Sequence, residues 1–142
     1  MSGERKAEAY YFSRELSWLE FNARVLEEGL DKHNPPIERL RYLAIVASNF
    51  DEFFMIRVAA LKARVRAGDA EPDVAGLTPA ELLAAISRRA RELTGKQYAC
   101  LAHELIPLLA ERGMAILRPA DYKTSERRWL EDYFSEIGRA HV

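Results

Sequence analysis

An all-α fold follows from three features of the sequence. Long segments rich in Leu, Ala, Glu and Arg, all good helix formers, alternate with clusters of proline and glycine at 34–36, 68–79 and 113–119. Within those segments apolar residues recur at intervals of three and four. No stretch sustains period-two alternation, and no Asn-Gly or Asp-Gly hairpin signal occurs. Helices of this length cannot bury their apolar stripes alone. The predicted architecture is therefore an antiparallel bundle of three to four long helices, with the start of a following domain behind it.

The first helix is expected over Ser13 to Lys32. Leu16, Leu19, Ala23, Leu26 and Leu30 form its stripe, widened by Trp18, Phe21 and Val25. Ser17 with Glu20 reads as a capping box, and Ser13 is an equally good start. Gly29 weakens the end of this helix. The second helix should start at Asn34 as its N-cap, with Pro35 in the first turn, where a missing N–H costs nothing. Its stripe is Ile37, Leu40, Leu43 or Ala44, and Ala47. Ser48-Asn49 interrupts the pattern, and Asn49 followed by Glu52 resembles a fresh N-cap with its box partner. A break or kink is expected there, with a third helix from Phe50 to Arg66 whose stripe is Phe54, Val58, Leu61 and Val65.

Gly68 to Leu77 reads as a connecting loop. Thr78-Pro79-Ala80-Glu81 then combines an N-cap, proline at the first helical position and Glu at the third. That helix should run to Arg112 on Leu82, Ile86, Ala90, Leu93, Gln97, Leu101, Leu105 and Leu108, with Gly95 an internal weak point and Pro107 kinking its last turns. Gly113 is a C-cap candidate, Met114 to Leu117 reads as extended, and Thr124-Ser125 opens a last helix through Trp129, Leu130 and Tyr133.

Composition narrows the function. The chain has 142 residues, 49% of them hydrophobic and 30% charged, which is globular rather than disordered. A net charge of -1 argues against a dedicated nucleic-acid binder. Cys100 alone permits no internal disulfide, and His33, His103 and His141 are too scattered for a zinc site, so no metal site is expected. No apolar run reaches the ~20 residues of a transmembrane helix, and Met1 to Ala9 lacks the apolar centre of a signal peptide, so the expected compartment is the cytoplasm.

Few residues offer chemistry. There is no glycine-rich phosphate loop, no nucleophile elbow and no HExxH. Cys100 lies on or beside a leucine stripe, with no cation evident near it, and reads as a buried inert thiol. Asp51-Glu52 is one acidic pair, explained by the helix dipole at the expected helix start. Arg57 has two readings: a snorkelling guanidinium paired with Glu15 or Glu52, or a phosphate contact extended by Lys62, Arg64 and Arg66. Asn49 also has two. It caps its helix, or its amide reads a nucleotide base beside the free N–H groups of a helix start.

Two strings carry a family resemblance. Arg14-Glu15-Leu16-Ser17-Trp18-Leu19-Glu20-Phe21-Asn22 resembles the opening helix of the histidine-phosphorylated polyphosphate kinases. Pro36-Ile37-Glu38-Arg39-Leu40-Arg41-Tyr42-Leu43, followed by Ser48-Asn49-Phe50-Asp51-Glu52-Phe53-Phe54, resembles their second signature. The likeness covers Tyr11 to Phe134 and is sharpest from Ser13 to Leu61. It implies reversible transfer of the ATP γ-phosphate to polyphosphate through a phosphohistidine, in enzymes several times longer than this chain. Their N-terminal helical domain forms part of the wall around adenine, and the family's ATP-contacting asparagine falls on Asn49. Family members often have two adjacent asparagines where this chain has Ser48-Asn49.

The resemblance also sets the expected organisation. Residues 1–113 would be the N-terminal helical domain, 114–136 the beginning of a middle domain used in homo-oligomerisation, and 137–142 a non-native tail. The phosphorylated histidine and the Mg2+ ligands belong to catalytic domains that this chain does not contain, and none of its three histidines matches the phosphorylated position. No catalytic residue is therefore assigned. The cofactor-site candidates are Asn49 for ATP and Arg57 for phosphate, with ATP and polyphosphate the partners of the whole enzyme and the isolated chain inactive. The competing reading is a stand-alone helical interaction module that uses Tyr10, Tyr11, Phe12 and Trp129. A small all-α enzyme with a site between helices is a third.

Overall fold

The computed structural model describes residues 11–140, and among these there is no strand. Tyr10, His141, the polar start Met1 to Ala9 and the last two residues of the expected tail lie outside the described residues. The chain divides into two compact units, one ending at Leu108 and the other starting at Leu109.

The first unit is built from three rods. Helix α1 spans Arg14–Leu30 with Ser13 at its N-cap, so the start falls at Ser13 and not at Ser17. Helix α2 spans Pro36–Phe53, a π-helical turn covers Phe54–Val58, and α3 continues over Ala59–Arg66. Helix α4 spans Pro79–Cys100, a second π turn covers Leu101–Leu105, and α5 runs over Ile106–Glu111, crossing the division between the units. Contacts fix the directions. Gly29 meets Arg39, Asn22 meets Val46, and Asn22 meets Asn49, so α1 and α2 run antiparallel. Leu43 meets Gln97 and Arg39 meets Glu104, so α4 opposes α2, while Glu20 with Arg89 and Gly29 with Cys100 show α4 parallel to α1. The result is an up-down-up bundle around Leu19, Leu26, Leu43, Val46, Phe50, Phe53, Leu61, Leu82, Ile86 and Leu93.

Several local expectations are corrected. Asn34 does not cap α2, which starts at Pro36 behind Pro35. Its Nδ2 instead donates to Glu28 O at 2.9 Å and satisfies a carbonyl near the end of α1. No break occurs at Ser48-Asn49, because Asn49 finds a side-chain partner on α1 and leaves the backbone helical. The irregularity sits five residues later, in the π turn. The buried face of α2 is Arg39, Leu43, Val46, Phe50 and Phe53, whereas Ile37, Ala47 and Phe54 are exposed. Pro107 lacks the N–H that would bond one turn back, and the π turn just before it absorbs the mismatch, with Ile106 N donating to Leu101 O.

The start of α4 follows the prediction. Thr78 Oγ1 accepts from Glu81 N, and the Glu81 carboxylate accepts from Thr78 N at 2.9 Å. In the second unit Gly113, at φ +84°, reverses the chain, and Met114 N donates to Leu109 O at 2.9 Å, as in a Schellman turn. A 3-10 turn at Pro119–Asp121 leads into α6, Thr124–Ala140, on which Trp129 stacks on Tyr133.

Candidate functional site

A surface hollow of about 830 Å³ lies in the first unit, between the start of α1, the α2–π–α3 rod and the loop before α4. That volume is within the range of small-molecule sites. Asn49, Glu52, Phe53, Ile56, Arg57, Ala60, Leu61 and Arg64 supply one side, a continuous stripe at helical spacing that runs through the π turn. Arg14, Trp18 and Phe21 of α1 face them, and Asp73 and Val74 come from the loop. Both residues singled out from the sequence, Asn49 and Arg57, therefore line the same hollow.

Its floor is aromatic. Trp18 stacks on Phe53 with ring centroids 4.4 Å apart and planes within 7°, and Phe54 meets Phe53 edge-on at 5.9 Å. Phe53 is buried, and Phe21 is half exposed at the hollow. Flat apolar surface beside a few polar groups suits an aromatic base.

Asn49 is half-buried in the interior of α2. It has no free helix-start N–H groups beside it, so no helix-start dipole favours a nucleotide at this position. What remains is its amide. Asn49 Nδ2 donates to Asn22 Oδ1 at 2.9 Å, and Asn22, fully buried, donates from Nδ2 to Val46 O at 3.4 Å.

Three arginines line the hollow, and two are already engaged. Arg14 pairs with Glu15 at 2.9 Å, and Arg64 with Asp69 at 2.7 Å. The hydrogen bond from Arg64 holds the Asp69 carboxyl below its usual range. Arg57 is exposed and has no ion pair or side-chain hydrogen bond among the described residues, so the expected pairing with Glu15 or Glu52 does not form. An unpaired guanidinium at the edge of an aromatic-floored hollow is suited to an oxyanion such as phosphate.

The remaining candidates carry no chemistry. His33 and His103 are exposed, and His33 bonds only to Asp31. Cys100 is buried as expected, but the absence of a nearby cation is corrected: Arg39 Nη2 lies 3.1 Å from its sulfur. Arg39 is itself buried, and donates to Gly29 O at 2.8 Å and Glu104 Oε2 at 3.0 Å. Burial opposes its charge, yet Glu104 and Cys100 outweigh that and raise its pKa. No group of three or more His, Cys, Asp or Glu that could hold a metal occurs among the described residues. Asn22, the Trp18–Phe53 stack and Asp73 were not picked out as site residues from the sequence. Asn22 and Trp18 stand inside the first family string, which was the one signal available for them.

Comparison with known proteins decides the family. The profile of the polyphosphate kinase N-terminal domain matches residues 11–117. The chain belongs to this family. It is 45% identical over 129 residues to a polyphosphate kinase of Lactiplantibacillus plantarum, covering 91% of this chain and 18% of the relative. It is 47% identical over 127 residues to one from Halalkalibacterium halodurans, covering 89% and 18%. It is 44% identical over 126 residues to one from Mycobacterium bovis, covering 89% and 17%. The chain thus spans less than a fifth of the length of these curated relatives. As a polyphosphate kinase N-terminal domain, it has the hollow wholly within the matched segment. No helix among the described residues is long and apolar enough to cross a membrane.

Proposed function

We propose that this domain forms one wall of the ATP site of a polyphosphate kinase, an enzyme that reversibly transfers the ATP γ-phosphate to polyphosphate through a phosphohistidine carried by other domains. Asn49 contacts the nucleotide, the Trp18–Phe53 floor lies beside its base, and Arg57 contacts a phosphate. The observation that carries this reading is the convergence of Asn49 and an unpaired Arg57 on one hollow. The described residues do not provide a metal site. Mg2+, which the family resemblance implies for the catalytic domains of the whole enzyme, enters no step here. Phosphoryl transfer depends on positioning and charge stabilisation around the transferring group, which one wall does not supply. The enzyme is cytoplasmic and assembles as a homo-oligomer through the domain that begins at residue 114, with ATP and polyphosphate as its substrates.

Calorimetric titration of the isolated chain with ATP tests this. An open wall covers little of the ligand, so the expected affinity is no tighter than about 1 mM, with no polyphosphate formed. Tight stoichiometric binding, or polyphosphate synthesis by the chain alone, would overturn the one-wall account.

A further inference from the structure

We infer that Asn22 is a positioning residue that locks the Asn49 amide with its oxygen available to the hollow, and so makes the site selective for adenine's exocyclic amino group over the oxygen that hypoxanthine and guanine carry at the same ring position. This rests on the nucleotide reading above. Val46 O, 3.4 Å from the Asn22 amide, is an acceptor alone, so the end of Asn22 that faces it must be the NH2 end. Asn22 is fully buried and cannot turn to water for another arrangement. Its Oδ1 is therefore the group turned toward Asn49. An oxygen there accepts only from a donor, so Asn49 presents Nδ2 to it, at 2.9 Å. Asn49 Oδ1 has no protein partner among the described residues, and its residue lines the hollow.

The orientation of Asn49 is thus set by a chain of two hydrogen bonds that starts at a fixed backbone carbonyl. An isolated surface asparagine can flip its amide at little cost and accept either a donor or an acceptor. Asn49 flips only by facing one carbonyl oxygen with another. Adenine carries an exocyclic amino donor, whereas hypoxanthine and guanine carry an acceptor oxygen at the same ring position. A fixed amide oxygen favours the first and repels the others, and an orphaned polar contact is the stronger discriminator. Asn22 touches no ligand in this account; it acts through Asn49.

The test is two-dimensional NMR of the 15N-labelled chain, following the Asn22 and Asn49 side-chain amides and the backbone of residues 49–57 while ATP or inosine triphosphate is added to about 30 mM, well past the millimolar affinity expected of one wall. The expected result is that ATP moves these signals with an apparent affinity about tenfold tighter than inosine triphosphate. In Asn22→Leu, which keeps the volume and removes the lock, the two nucleotides should bind within about twofold of each other. Equal response of the wild-type chain to both nucleotides overturns the inference while leaving the nucleotide site in place, and it does so even where Asn22→Leu fails to fold. Retention of the ATP preference in a folded Asn22→Leu also overturns it. No movement with either nucleotide removes the nucleotide site itself, and the inference with it.

Discussion

Gly29 gives opposite predictions from helix propensity and from packing. By propensity, Gly29→Ala should stabilise α1 by about 0.5–1 kcal/mol, since glycine loses more backbone freedom on folding. In the fold, however, an added Cβ would lie 2.7 Å from Leu43 Cδ2, 3.3 Å from Leu43 Cγ and 3.4 Å from Arg39 O. Leu43 is buried and held between α1 and α4, so it has little room to withdraw. Overpacking of this kind costs about 1–3 kcal/mol. Moving α2 away would also lengthen the 2.8 Å bond from Arg39 to Gly29 O. The net expectation is a loss of about 1–2 kcal/mol, a fall in Tm of roughly 3–8 °C for a domain of this size. Gly95→Ala is the control: nothing lies within 4 Å of a Cβ there, so the propensity gain stands alone and Tm rises by roughly 2–4 °C. Thermal and urea unfolding followed by circular dichroism measure both. If Gly29→Ala stabilises as much as Gly95→Ala, the close α1–α2 crossing is wrong.

Two further perturbations probe the scaffold of the site. Phe53→Ala removes a buried ring and its stack on Trp18, and should lower unfolding stability by about 3–5 kcal/mol in urea titrations; a loss under 1 kcal/mol would mean that the aromatic floor is not packed as described. Glu20 accepts two 2.7 Å hydrogen bonds from Arg89, which hold its carboxyl below its ordinary value of 4.5. Because the folded value is the lower one, this contribution is complete above pH 4.5 and fades as pH falls through the depressed folded value. Glu20→Gln should therefore narrow the stability difference between neutral and acid pH, and an unchanged pH profile would show that the pair contributes nothing.

The legible parts of this fold are those written in local chemistry. Thr78, Pro79 and Glu81 specify a helix start within four residues, and the α4 stripe from Leu82 to Leu93 is buried as its spacing predicts. The illegible parts depend on partners far away in sequence. Arg39 belongs to the buried face of α2 only because Gly29 O, Cys100 and Glu104 come from other helices to meet it. Apolar periodicity passes over an arginine, and so placed the stripe on Ile37 and Ala47. Asn49 misled in the same way. Ser48-Asn49 carries the signature of a cap, yet the amide is satisfied by Asn22, 27 positions earlier, and the helix runs on to a π turn that no residue pattern announced. The site followed the same division. Asn49 was visible as a residue type and through the second family string, whereas Arg57, outside both strings, was visible only as a residue type. That they share a hollow, that Arg57 is unpaired and that Asn22 fixes the amide are properties of packing.

The proposed contact of Asn49 with ATP is measured by steady-state kinetics of Asn49→Ala in the polyphosphate kinase carrying this segment. The substitution leaves Asn22 Oδ1 unpaired, a loss of about 1–2 kcal/mol that a domain of this size tolerates. The expected result is a KM for ATP raised by about tenfold, with Tm lowered by only a few degrees. An unchanged KM in a folded variant would contradict it and return Asn49 to a purely structural role.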